Sequence, residues 1–234
     1  MAVTDPRPPA SPTPPTPPGR STAPGGVAIA VGLVVAFVVL VGLGLVLRAA
    51  AGDRTSGDGE FNGALLEEPR PRPGFELVDT TGAPFDFAST SGRLTILFFG
   101  YANCPDICPI TLATLDEALG LVDGVDADVV FVSVDPARDT PEQLRAYLDR
   151  FDTRFVGLTG TPEQLRAAQE AAGVTPAFDE GPNDRGGYDV GHSSQVIVYT
   201  PDDLAHLVYG FGVRQDQWAD DLARVRDTAE WWRR

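Results

Sequence analysis

Apolar and polar positions alternate over 75–79, Phe-Glu-Leu-Val-Asp, and again at Phe85-Asp86-Phe87 after a turn at Thr81-Gly82. A period of two is that of a half-buried strand, so the two segments predict a β-hairpin. Residues 93–99, Arg-Leu-Thr-Ile-Leu-Phe-Phe, run apolar almost without interruption, as a central strand covered on both faces would. A helix-like run follows at 110–121 and a second buried-strand run at 128–134. The string Thr-Pro-Glu-Gln-Leu-Arg-Ala occurs twice, from Thr140 and from Thr161. Each copy offers a threonine N-cap, proline at the first helical position and glutamine three residues after the cap, so both predict helix starts. Nothing else repeats, which makes this a shared capping solution and not an internal duplication. Between the two starts, 154–158 predicts a short strand. Further on, 195–199 and 204–209 predict strands paired across Pro201-Asp202-Asp203, and 215–231 a final helix.

Strands that alternate with helices and close on a hairpin and a helix predict an α/β domain with a central mixed sheet over 74–234, long enough for one core. The residues ahead of it differ in kind. Residues 1–26 are rich in proline, serine and threonine and are expected to be disordered. Residues 27–47 carry no charge; as a helix they would reach about 31 Å, enough to cross a bilayer, and no polar face interrupts them as it would in a core helix. A single transmembrane anchor is expected. The rival is a cleaved leader with Ala49-Ala50-Ala51 at the cut, but a leader's apolar core is normally about 7–15 residues. Residues 48–73, rich in glycine, proline and charge, are expected to be a linker. Arg7 and Arg20 precede the span and Arg48 and Arg54 follow it, so the positive-inside rule gives no vote. A lone N-terminal span followed by a domain usually exports that domain, which implies an extracytoplasmic location.

The chain carries a net charge of −15. Arg7, Arg20 and Arg48 against Asp5 leave the first 50 residues at +2, so the remainder carries −17. A domain so acidic does not bind nucleic acid through a phosphate-neutralising patch; solubility, or steering of cations and basic partners, accounts for it.

The two cysteines of the chain, Cys104 and Cys108, share one stretch, Gly100-Tyr101-Ala102-Asn103-Cys104-Pro105-Asp106-Ile107-Cys108-Pro109. It lies between a predicted strand and a predicted helix, which makes the domain thioredoxin-like. A helix N-terminus favours thiolate, and a spacing of four puts both side chains on one face if the helix has begun by Cys104. Three uses are open to the pair. It could cycle as a redox dithiol, hold a metal with further ligands, or form an inert disulfide, which would constrain little chain entropy over so short a loop. Thioredoxin motifs have two residues between the cysteines and this chain has three. A four-ligand zinc site would need both histidines as well.

Of those histidines, His206 falls inside the last predicted hairpin and is expected at the surface or a strand edge. His192, in Tyr188-Asp189-Val190-Gly191-His192-Ser193-Ser194, directly precedes a core strand. In a thioredoxin-like fold the loop entering that strand passes beside the dithiol.

Three ordered strings, Gly100–Pro109, Ser133-Val134-Asp135-Pro136-Ala137-Arg138-Asp139-Thr140-Pro141, and Gly191-His192-Ser193, resemble the SCO/SenC family over roughly 70–225. That family comprises membrane-anchored, thioredoxin-like copper proteins needed to assemble cytochrome c oxidase. The residue before the histidine is often aspartate there and is Gly191 here, with Asp189 close by. The resemblance implies copper ligands Cys104, Cys108 and His192; two soft thiolates suit Cu(I), and an imidazole keeps Cu(II) tolerable. It makes Asp106, between the cysteines, and Asp135, at the end of a central strand, candidate accessory residues. Alternatively, Asp106 complements a helix N-terminus and Asp135 bonds a loop. The implied function is a metallochaperone delivering copper to the dinuclear site on cytochrome c oxidase subunit II, with an upstream copper donor or thiol reductant as a further partner. The same dithiol could instead act as a thiol–disulfide oxidoreductase that reduces the oxidase's copper-site cysteines. A peroxiredoxin-like peroxidase lacks a separate peroxidatic motif in this chain.

Overall fold

The computed structural model describes residues 61–184 and 186–227, together with Ala36 and Val39, which are helical. The expected tail at 1–26, the expected span at 27–47 apart from those two residues, and the linker as far as residue 60 lie outside the described residues. Among the described residues no helix is long and apolar enough to cross a membrane.

Among the described residues the strands are β1 (Ala64–Pro71), β2 (Glu76–Asp79), β3 (Pro84–Asp86), β4 (Leu94–Gly100), β5 (Ala127–Ser133), β6 (Val156–Thr159), β7 (Phe178–Pro182), β8 (Tyr188–Gly191), β9 (Val196–Tyr199) and β10 (Leu204–Tyr209). Within residues 61–227 the α-helices are α1 (Ile107–Leu121), α2 (Pro141–Leu148), α3 (Pro162–Ala171) and α4 (Gln215–Asp227). Eight strands form one mixed sheet in the order β1-β10-β9-β4-β5-β6-β2-β3, with β4, β5 and β6 parallel and the remaining pairs antiparallel. β7 and β8 pair with each other as a separate hairpin.

Every residue of β4 is buried because both faces of the sheet are covered. Ile96 and Phe98 face Leu112 and Leu115 of α1, Leu144 of α2, and Trp218 and Leu222 of α4. Leu97 and Phe99 face Leu165 and Ala168 of α3, together with Leu77 and Phe87. Both expected capping boxes form: Thr140 Oγ1 accepts the Gln143 amide and Thr161 Oγ1 the Gln164 amide, each at 3.3 Å, while each glutamine side chain accepts from its cap's own N–H.

The structure departs from the sequence expectations in four places. The stretch expected as linker contains β1, which pairs with β10 at the sheet edge. Asn62 and Gly63 just ahead of it donate backbone N–H groups to Asp221 of α4, at 2.8 and 3.1 Å. The hairpin of β7 and β8 was not expected. α1 begins at Ile107 and not at residue 110, so Cys104 precedes the helix and the one-face argument for the two cysteines does not apply. His206 is buried, not exposed or at an edge: β10 lies between β1 and β9, and the His206 Nε2 lies 2.9 Å from Asp202 Oδ2.

Candidate metal centre

The site forms where β4 ends, at the carboxyl edge of the parallel strands, where side chains of a loop and a helix start converge. After Gly100 the chain turns, with the Cys104 N–H bonded to the Tyr101 carbonyl at 3.1 Å. Asp106 then caps α1, its carboxylate accepting the Ile107 N–H at 2.6 Å. This places Cys108 in the first turn of the helix. Pro109 fits there because the first-turn N–H groups have no intrahelical acceptor to lose.

Cys104 and Cys108 are both buried and both free. The Cys108 N–H points at Cys104 Sγ, 3.5 Å away. Gly100 lies directly under Cys108: a β-carbon there would stand 2.6 Å from the sulfur. His192 follows β8 immediately. Its Nδ1 donates to its neighbour's carbonyl, Ser193 O, at 2.9 Å, a bond that requires the proton on Nδ1. Nε2 is therefore the ring nitrogen that faces the sulfurs, with Cys108 Sγ at 3.5 Å. The rings of Tyr101 and His192 meet edge to face at 5.5 Å.

The two thiols are unequal. Cys104 is lowered to about 4, chiefly by its hydrogen bond with Cys108, against the cost of burial and with help from His192 and the amides of Cys108 and Asp106. Cys108 moves the other way, raised by the same bond, by burial and by the charge on Cys104. The two directions are opposite, and the pair's proton is drawn toward the inner sulfur. Burial pulls the His192 pKa down, but the bonds to Cys104 and to the Ser193 carbonyl outweigh it, and the net shift is upward. Of the two sulfurs Cys108 lies at 3.5 Å from the ring, while the charge that acts on the ring is centred on Cys104; both sulfurs are within reach.

The donor atoms of Cys104, Cys108 and His192 lie within 4.8 Å of one another, the group with metal-ligand spacing among the described residues. Donors bonded to one small ion at about 2–2.3 Å stand at most about 4.6 Å apart, so the three need little movement to share one. Two thiolates and an imidazole nitrogen form a donor set for Cu(I), and one that still tolerates Cu(II). Asp106 is exposed and serves as the cap of α1. Asp135 lies outside the donor group: it takes an ion pair from Arg138 and a 2.7 Å hydrogen bond from the Tyr188 hydroxyl. His206 belongs to neither arrangement.

A family model described as SCO1/SenC matches residues 64–227. This chain belongs to the SCO1/SenC family. A putative copper-binding protein of Stutzerimonas stutzeri is 37% identical over 166 residues, covering 70% of this chain and 80% of that protein. Protein sco1 of Schizosaccharomyces pombe is 33% identical over 168 residues, 69% of this chain and 62% of that one. Among solved structures, Arabidopsis thaliana ScoI with copper bound is 32% identical with a TM-score of 0.62, covering 66% of this chain and 98% of that one. Apo Sco1 of Thermus thermophilus is 32% identical with a TM-score of 0.63, covering 71% and 97%.

Around these SCO/SenC residues lies a second set that sequence reasoning left unassigned. Asp139, 1% exposed, accepts the Ala102 N–H at 2.9 Å and the Ser133 hydroxyl at 2.6 Å, fixing the loop ahead of Cys104 to the end of β5. Arg138 and Tyr188 join that same edge to the hairpin. Arg138 and Asp139 stand inside the second family string and Tyr188 opens the third region, so their positions were visible although their roles were not. Gly191, where the family often has aspartate, lies under the exposed ring of Phe178; a β-carbon there would stand 2.4 Å from it.

Proposed function

We propose that the protein is a copper metallochaperone that delivers copper to the dinuclear centre of cytochrome c oxidase subunit II, with Cys104, Cys108 and His192 as the copper ligands. The observation that carries this is the convergence of these three donors at one strand edge in an SCO/SenC chain. Three ligands leave one side of the metal open, so an incoming thiolate can replace them one at a time; a closed four-ligand set would suit storage. Residues 27–47 anchor the protein in a bacterial membrane, with residues 1–26 as a tail and the copper domain on the extracytoplasmic side, where charge −17 beyond residue 50 keeps it soluble.

The test is an anaerobic Cu(I) titration of the reduced full chain against a competing chelator, beside Cys104→Ser, Cys108→Ser and His192→Ala. One copper per chain, bound more weakly in every variant, supports the proposal. Full-affinity binding without either cysteine overturns it.

One observation favours a second role for the same residues. An outer sulfur that takes the Cys108 N–H and has a lowered pKa, beside a more deeply buried inner one with a raised pKa, is the arrangement of an attacking and a resolving cysteine. In that role Cys104 attacks a client disulfide, Cys108 then displaces the client from Cys104, and the client leaves as a dithiol. His192 would be dispensable for electron transfer, so normal oxidase assembly in cells carrying His192→Ala would favour exchange over metal delivery.

A further inference from the structure

His192 does not stand on the eight-stranded sheet. It leaves a hairpin whose strands pair only with each other among the described residues, and such a small element is marginal without outside support. That support comes from the loop after β5. Arg138 forms an ion pair with Asp135, donates from Nη1 to the Tyr188 carbonyl at 2.9 Å, and lays its guanidinium 3.7 Å from the centre of the Tyr188 ring. The Tyr188 hydroxyl completes the circuit by donating to Asp135 Oδ1 at 2.7 Å. Asp135 itself is 3% exposed and fixed through its own N–H to Ser133 Oγ at 3.1 Å. Two residues further along β8, the Val190 N–H meets the Tyr101 hydroxyl at 3.4 Å, and the Tyr101 ring abuts His192.

We propose that Arg138 is a positioning residue that locks the β7–β8 hairpin, through Tyr188 and Asp135, so that His192 is held over the cysteine pair. The inference rests on His192 being a copper ligand. The guanidinium bonds a carboxylate and a carbonyl and stacks on an aromatic face at once, a combination that an ammonium cannot reproduce. Loss of the lock leaves both cysteines in place and frees the imidazole, converting a three-ligand site into a two-thiolate site part of the time.

The test is a double-mutant cycle on Cu(I) affinity of the reduced full chain, using Arg138→Gln, Arg138→Lys, His192→Ala and Arg138→Gln with His192→Ala. Residues that orient a metal ligand typically account for about 10–100-fold in affinity. Arg138→Gln is expected to weaken binding by about 10-fold, with no rescue by Arg138→Lys and no further loss in the His192→Ala background. An equal loss in both backgrounds would mean that Arg138 acts on the cysteines or on the fold, and would overturn the inference. So would unchanged affinity in Arg138→Gln. If His192→Ala itself binds normally, the ligand assignment fails and the inference with it, a result distinct from the other two. Tyr188→Phe provides a milder variant should Arg138→Gln not fold: it removes one hydrogen bond from a partly exposed side chain, and the same non-additivity with His192→Ala is expected.

Discussion

The Asp139 carboxylate accepts the Ala102 amide at 2.9 Å, two residues ahead of Cys104. Its other bond, from Ser133, ends on the same oxygen, and Oδ1 is buried without a partner. Burial lifts the Asp139 pKa above the ordinary carboxylate range, although the bonds from Ser133 and Ala102 oppose it. A raised folded-state pKa contributes stability that is complete below the unfolded value of about 4 and is lost as pH rises through the folded value. Asp139→Asn removes that slope. Its deficit against the wild type, read from urea midpoints, should be largest in acid and shrink toward neutrality. A deficit that grows with pH would contradict this account.

Cys104 and Cys108 should part company in alkylation. With Cys104 lowered to about 4 and Cys108 raised, limited iodoacetamide treatment of the apo protein at about pH 6 should label Cys104 well ahead of Cys108. Peptide mass mapping reads the ratio. The pH at which labelling of Cys104 reaches half its maximum rate should rise in His192→Ala, since the imidazole helps to hold the thiolate. Equal labelling of the two cysteines would refute the ordering.

Gly100 should not tolerate a methyl group. A β-carbon there would stand 2.6 Å from Cys108 Sγ and 2.8 Å from a Phe131 ring carbon, both enclosed in the core. Gly100→Ala should destabilise the domain by about 1–3 kcal/mol and lower Cu(I) affinity by pushing the inner sulfur off its seat. Wild-type stability together with wild-type affinity would show that the strand end can relax.

His206 offers the contrast to His192. It is buried and paired with Asp202 and is not part of the donor group. His206→Gln should cost about 1–2 kcal/mol of stability in thermal or urea unfolding and leave copper stoichiometry and affinity unchanged. Loss of copper in a folded His206→Gln variant would place this histidine in the site.

What could be read from the sequence was what local chemistry decides. The apolar run of β4 needs a cover on both faces wherever it is placed, and the Thr-Pro-Glu-Gln strings satisfy their own helix starts through bonds three residues apart. The three candidate donors were legible through motif strings, and the fold brings them together. β1, Ala-Leu-Leu-Glu-Glu-Pro-Arg-Pro, was not legible, because an edge strand can be charged and proline-bearing and still pair on one side. With β1 unseen, β10 looked like an edge and His206 like a surface residue. The hairpin, Phe-Asp-Glu-Gly-Pro and Tyr-Asp-Val-Gly, has too little apolar alternation to announce itself; it depends on Arg138, which is 50 residues away in sequence from Tyr188 of its second strand. The start of α1 was missed by three residues because Pro109 resembles a boundary, whereas in a first turn it is permitted.

β1 runs opposite to β10, which in turn runs in the same direction as β4. The polypeptide therefore enters the domain at the edge of the sheet where β4 ends, and Asp221 pins Asn62 and Gly63 at that entrance. A change at Asn62 or Gly63 therefore acts on the edge of the sheet that carries the two sulfurs, not on the opposite one.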